Sequence, residues 1–470
     1  MIDHVEVRRR TYHDSVRLMQ ASAAVQAADG VESALIAMGT DLNLGLLADM
    51  GFAVPEAGPD DMIVAVRAAD EQAAAAAVAS LDAVLAARPE QGGTLDAPAP
   101  CTVGRAGDDL GADLALISVP GPSAFLEAEE ALRHGMHVMI FSDNVAVEHE
   151  VLLKQMGRER GLLVMGPDCG TAVVGGVGLG FANAVRPGPV GLVGASGTGI
   201  QQLCCLLDDA GVGIRHALGT GSRDLSSRVG GSATLQGLAA LDRDPGAEVI
   251  VVVSKPPAAE VAERVRAAAE SCRTRVVFAL IGEQTLEAAA AATLTSLGVP
   301  VPEPASWPAP GRGHRPGAVR GLFSGGTLCG EAAMVAAATL GEIGDDLDAP
   351  GHTMVDLGGD EFTRGRPHPM IDQRLRLHHL EAAAADPSVG VILLDVVLGY
   401  GAHPDPASEL APAIAGAVER EAAVVVSLCG TNADPQGRDA QAAALRDAGA
   451  SVFLSNAAAA GYAAGLGGAR

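Results

Sequence analysis

Cysteine, lysine and aromatic residues are scarce in this 470-residue chain. Its seven cysteines are an odd set with no CxxC spacing and no cysteine–histidine cluster. That pattern excludes a disulfide framework and a zinc site and fits a reducing compartment. No apolar run approaches the ~20 residues that span a bilayer, and the opening MIDHVEVRRR lacks the apolar stretch of a secretory signal. No Lys/Arg block stands out, and 57 acidic residues against 32 basic ones leave a formal net charge of −25. Such a balance argues against nucleic acid or an anionic membrane as partner. The expectation is a soluble cytoplasmic protein with no metal, of two to four domains at roughly 100–200 residues each.

What is present is a series of short apolar runs, each followed by a helical pattern. ESALIAMGT, DMIVAVRA, ADLALISVPG, HVMIFSD, GLLVMGPD, PVGLVGAS, AEVIVVVSKPP, TRVVFALIG, VRGLFSGG, GVILLDVVLG and AAVVVSLCGT all have this form. Continuous apolar runs suit strands buried on both faces, as in parallel sheets, so the fold class is α/β. Most runs end in Gly, Ser, Thr, Pro or Asp, at the carboxyl edge where open α/β sheets gather ligands. The stretch Val299–Gly317 is too rich in Pro and Gly for regular structure and reads as a linker. The expected units are 1–186, 187–298 and 318–470, joined by the linker 299–317.

Two glycine-rich turns echo one another. In Gly194-Ala195-Ser196-Gly197-Thr198-Gly199 the glycines permit a tight turn at a helix start, and two hydroxyls add donors. Exposed N–H groups and the helix dipole make such a start an anion site. The spacing is GxxGxG, which is neither the dinucleotide GxGxxG nor a Walker loop. Ser324-Gly325-Gly326-Thr327 repeats the pattern, and two such helix starts face to face would enclose one phosphate. Cys329 lies one turn further on, where a helix dipole lowers a thiol pKa. The alternatives are a plain strand-to-helix connection for the turns, the weaker reading, and a small packing residue for Cys329, the commoner one. Further polar phrases follow strands. Gly219–Asp224 contains Gly221, Arg223 and Asp224; Ser254-Lys255-Pro256-Pro257 carries a lone lysine; Asp356–Asp372 holds Asp360, Arg366 and His368; Cys429–Gln436 includes Thr431 and Asp434. Arg223 or Arg366 suits a bidentate grip on a carboxylate, and His368 suits proton transfer.

GPDCGTA, GPVGLVGASGTG, GTGSRDLS, SGGTLCGEA, GRPHPMID and CGTNADPQ, in this order along the chain, together resemble the FdrA family, distant relatives of succinyl-CoA synthetase, and the resemblance covers nearly the whole chain. The resemblance implies a Rossmann-like CoA-binding-type domain over 1–186 and two flavodoxin-like parallel-sheet domains after it. It also implies that Ser196, Gly197, Thr198, Gly199, Ser324, Gly325, Gly326 and Thr327 hold a phosphate. Asp168, Cys169, Thr171, Gly221, Asp224, Lys255, Asp360, Thr431 and Asp434 would then contact substrate, and His368, Arg366 and Arg223 would be catalytic. One departure stands out: the synthetase carries its phosphorylated histidine after the strand matching Arg275–Gly282, where this chain reads Glu283-Gln284-Thr285-Leu286. A ready-made acyl phosphate needs no phosphohistidine, so the implied activity is carbamoyl transfer between carbamoyl phosphate and a small carboxylate-amide such as oxamate, shared with companion subunits. The alternatives are an acyl-CoA synthetase that binds CoA and borrows nucleotide handling from a partner, and a non-catalytic scaffold.

Overall fold

The computed structural model describes residues 1–11, 13, 15–26, 28–86, 102–310, 313–363 and 367–468, and divides into two compact units. The first comprises residues 1–99 with Gly359–Asp372. In it β1 (Ile2–Arg8), α1 (Ser15–Gln26), β2 (Val31–Met38), α2 (Asp41–Asp49), β3 (Met62–Ala68) and α3 (Glu71–Ala86) form a three-stranded antiparallel sheet, ordered β1-β3-β2, with its helices. One face packs Ile36, Val64 and Val66 against Leu18, Val25 and Leu81; the other packs Leu35 and Ile63 against Leu47 and Phe52.

This differs from the single Rossmann-like unit expected over 1–186. β3 is the central strand and is covered on both faces, so MIVAVRA is continuously apolar although its neighbours run antiparallel. A doubly buried run is a property of position in the sheet, and strand direction does not follow from it.

The second unit comprises Pro100–Gly358 and Gln373–Arg470. It opens with α4 (Val103–Leu110), β4 (Leu114–Ile117), α5 (Gly121–Arg133), β5 (His137–Ile140), α6 (Val147–Arg160) and β6 (Val164–Met165), a three-stranded parallel sheet with Rossmann-like crossovers. A six-stranded sheet follows, built from β7 (Thr171–Val174), β8 (Val177–Gly180), β9 (Pro187–Ala195), α7 (Gly197–Asp209), β10 (Ile214–Gly219), α8 (Ser232–Arg243), β11 (Val249–Ser254), α9 (Ala259–Glu270), β12 (Arg275–Leu280) and α10 (Leu286–Ser296). Its order is β12-β11-β9-β10-β7-β8, parallel except for the β7–β8 hairpin and the β7–β10 pair.

The last sheet comes from β13 (Ser306–Trp307), β14 (Ala318–Phe323), α11 (Gly326–Leu340), β15 (Thr353–Asp356), α13 (Arg374–Ala385), β16 (Val389–Val397), α14 (Pro406–Glu419), β17 (Ala423–Cys429), α15 (Arg438–Asp447), β18 (Ser451–Phe453) and α16 (Asn456–Gly468); the single turn α12 (Asp360–Thr363) belongs to the first unit. Its order is β13-β18-β17-β16-β14-β15. The Pro-rich stretch 299–317 contributes β13, which pairs with β18, and its Arg315 donates to the carbonyls of Val389, Ala384 and Asp386. Its described part is therefore docked on the last sheet, because β13 and the Arg315 guanidinium find partners there.

A buried ionic cluster ties α6 to the loop after β10. Lys154 Nζ lies 2.7 Å from Glu150 Oε1, 2.8 Å from Asp224 Oδ1 and 2.9 Å from the Thr220 carbonyl, all essentially inaccessible to water. Removing the cation leaves Asp224 buried without a countercharge and Glu150 with Arg223 alone, so Lys154→Met is expected to lower stability by about 3–5 kcal/mol, read as a lower urea midpoint.

Candidate phosphate site

Both helix starts expected to hold an anion lie in the second unit, and they face each other. α7 begins directly after β9 with Ser196 as its N-cap, whose Oγ accepts the Gly199 N–H at 2.9 Å. The same hydroxyl meets Thr327 Oγ1, in the first turn of α11, at 2.6 Å. A Cβ placed on Gly325 would come within 2.7 Å of Thr198, and one on Gly199 within 3.1 Å of the Thr327 methyl. The glycines are required because the two helix starts approach this closely. Thr171, on β7, lies against Gly197, where a Cβ would be 3.2 Å from its hydroxyl.

The outer edge of α11 carries charge. Lys255, at the end of β11, and Asp356, at the end of β15, lie 4.0 Å apart and are both accessible. A Cβ on Gly326 would collide with the tips of both side chains. The N–H groups of the first helical turn have no carbonyl to accept them within the helix, so Gly326, Thr327 and Leu328 present donors beside that lysine.

Ser324 and the Gly325 amide are already used. Asp395, in mid-β16 and fully buried, accepts Ser324 N–H at 2.7 Å, Ser324 Oγ at 2.9 Å and Gly325 N–H at 2.8 Å. Its charge is met by Arg376 of α13 at 2.7 Å, itself 1% exposed. The protein's own carboxylate thus fills the inner half of the second turn, correcting the expectation that Ser324 and Gly325 hold phosphate. Asp395 was missed by sequence reading, although an Asp inside the apolar run GVILLDVVLG was the signal.

Other expected ligands are bound internally. Arg223 gives its guanidinium to Glu150 Oε2 and the Val145 carbonyl, and Asp224 is closed in by Lys154, Ala233 and Thr234. Asp434 accepts from Asn183, the Ala184 amide and the Thr431 amide, while Thr431 Oγ1 donates to the Ala184 carbonyl. The buried thiol of Cys169 points to the Gly219 carbonyl at 3.2 Å, and Gly221, at φ +87°, packs on the Pro167 carbonyl. Asp168 adopts φ +55° and donates its amide to Ser142. Asp360 and His368 lie in the first unit, where His368 Nδ1 accepts the Met370 amide at 3.2 Å. Arg366 lies outside the described residues. Cys329 is 7% exposed, and burial, with Asp356 and Asp395 nearby, pushes its thiol pKa up. A buried thiol with a raised pKa fits the packing role for Cys329 better than the nucleophilic one.

A further carboxylate lies along α11. Glu331 accepts from the amide of Leu286, the first residue of α10, and from Asn456 of α16, and burial raises its pKa to about 7. A folded-state pKa above the unfolded one stabilises below the unfolded value, and that stability is lost as pH rises through 7. Unfolding free energy is expected to fall by on the order of 3 kcal/mol between about pH 4.5 and 7 from this group. Urea titrations across that range should show a shallower slope in Glu331→Gln.

With this geometry in hand, comparison with known proteins gives the class. A CoA-ligase model matches residues 322–465, a CoA binding domain model 185–280, and an "AllF, heavy metal-associated domain" model 1–99. The chain is 25% identical, over 32% of its own length and 50% of the relative's, to the succinate–CoA ligase [ADP-forming] subunit alpha of Methanothermobacter thermautotrophicus, so it spans about half of that subunit. A solved structure, the dinucleotide-forming acetyl-coenzyme A synthetase 1 of Ca. Korarchaeum cryptofilum, is similar over 75% of this chain and 82% of that one, at 16% identity and a TM-score of 0.29. The second unit thus contains one domain that matches the CoA binding domain model and one that matches the CoA-ligase model. Over 95% of both chains this protein is 37% identical to the uncharacterized protein YahF of Escherichia coli K12, and it belongs to the family of that protein.

Residues 1–99 contain no cysteine, and no group of three or more His, Cys, Asp or Glu side chains suited to a metal occurs among the described residues. Soft metals are held by thiolate or thioether sulfur, and residues 1–99 supply no thiolate for one. Met38–Asn43, where β2 passes into α2, follows an antiparallel strand, and a Cβ on Gly39 would strike the Gly58 carbonyl. That turn is filled by its own loop and does not fit CoA. No described helix is long and apolar enough to cross a membrane.

Proposed function

We propose that this chain handles the acyl-phosphate step of an acyl-CoA-synthetase-type reaction, with a partner chain supplying nucleotide. The observation that carries this reading is the meeting of two helix starts through Ser196 and Thr327, with Lys255 at the rim. An acyl phosphate entering there replaces the hydroxyl–hydroxyl bond. Its oxygens accept from Ser196 Oγ, Thr198 Oγ1, Thr327 Oγ1 and the first-turn amides, and Lys255 supplies the countercharge. The thiol sulfur of CoA attacks the acyl carbon, the bond from that carbon to the bridging oxygen breaks, and the electron pair leaves with inorganic phosphate, which takes up the thiol's proton. Fixed donors stabilise that developing charge without reorganisation. The CoA-ligase match and the succinate–CoA ligase relative support the class.

A second reading uses the same cradle for carbamoyl transfer from carbamoyl phosphate to an oxamate-like amide, in the FdrA manner. It is favoured by the connection from β12 to α10, Ile281–Thr285, which holds no histidine to carry phosphate. The two are separated by isotope transfer, with the protein alone and with its genomic neighbours. Labelled carbamoyl phosphate plus oxamate is run beside ATP, CoA and succinate. Thioester formation supports the ligase reading, and label in oxamate supports the carbamoyl one. Silence in both, with tight binding to a neighbour, makes the chain a scaffold.

A further inference from the structure

An open groove of about 380 Å³ lies at the far end of α7 from the phosphate cradle. Asp208, which lines it, is twelve residues along from Ser196, or about 18 Å at 1.5 Å per residue. Its volume falls within the usual range for small-molecule sites.

Tyr400 forms one wall and is 49% exposed, in a chain whose aromatic content is 3%. Its position is fixed by main-chain bonds: its amide donates to the Ala182 carbonyl at 2.8 Å, and the neighbouring Gly399 exchanges two hydrogen bonds with the Gln436 side chain. The ring lies beside the bare backbone of Gly178, where a Cβ would come within 3.4 Å of it. The result is a partly exposed ring on a fixed stretch of backbone, with no side chain at Gly178 beside it.

The polar groups narrow the ligand class. Arg186 and Asp208 pair within the groove, Nε to Oδ1 at 2.9 Å, and so neutralise each other. An anionic ligand therefore gains little there. Val185, half-buried in the same wall, has a backbone N–H and C=O with no hydrogen-bond partner among the described residues. An adjacent donor and acceptor read the edge of a planar nitrogen heterocycle, while an aromatic ring takes its face.

We infer that this groove binds a neutral planar nitrogen heterocycle of the adenine type, stacked on Tyr400 with its donor–acceptor edge on Val185. The site is separate from the cradle and independent of what is transferred there. Adenosine titrated into the full chain by calorimetry is expected to give one saturable site. Tyr400→Ala should weaken binding about tenfold or more, Tyr400→Phe should retain it, and Gly326→Ala, in the cradle, should leave it unchanged. AMP should bind no more tightly than adenosine. No saturation at millimolar adenosine, binding that survives Tyr400→Ala, or binding of AMP alone would each overturn the assignment.

Discussion

Asp395→Asn is expected to destabilise the second unit by about 3–5 kcal/mol, because it leaves the Arg376 cation buried without a countercharge. The substitution also turns an acceptor into a donor opposite the Ser324 or Gly325 amide, so at least one of those N–H groups loses its partner. The loss should appear as a lower urea midpoint with little change in slope. Arg376→Met in the same background should recover part of it, since the two residues interact directly and their effects are not additive. A loss below about 1 kcal/mol would show that Asp395 does not anchor the turn before α11.

Gly326→Ala should act the other way, sparing the fold and removing the activity. The new methyl would meet the tips of Lys255 and Asp356, both flexible and accessible, so they can move aside at a stability change of about 1 kcal/mol or less. Moving them takes the cation away from the first turn of α11. Loss of one fixed charge-stabilising donor typically costs about 10²–10³ in turnover, and that fall is expected in whichever acyl-phosphate reaction the chain supports. An equal fall in stability and activity would point to a packing role for the glycine.

Much of this site could be read from the sequence, because its chemistry is local. A strand, a small-residue turn and a helix are contiguous in PVGLVGASGTGIQQL and again in VRGLFSGGTLCGEAAM, and the structure shows each as a strand followed by a helix, β9 to α7 and β14 to α11. What could not be read is which polar groups are already satisfied. Asp224, Arg223, Thr431 and Asp434 have the composition of ligand-binding loops, yet their partners are Lys154, Glu150, Ala184 and Asn183, distant in sequence. The same donors and acceptors serve an internal bond or a ligand equally well, and only the fold decides between them. The antiparallel sheet of residues 1–99 was hidden for a related reason. Apolar runs report burial, and the pairing partner of β3 on each side is set by topology.

The central claim is that the facing starts of α7 and α11 hold a phosphate, and calorimetric titration of orthophosphate into the wild type and Thr327→Val tests it most directly. Valine keeps the volume of threonine and deletes the hydroxyl that meets Ser196. Saturable binding to one site in the wild type, weakened about tenfold or more in Thr327→Val, is the expected result. Absence of binding, or equal affinity in the two proteins, would contradict the account.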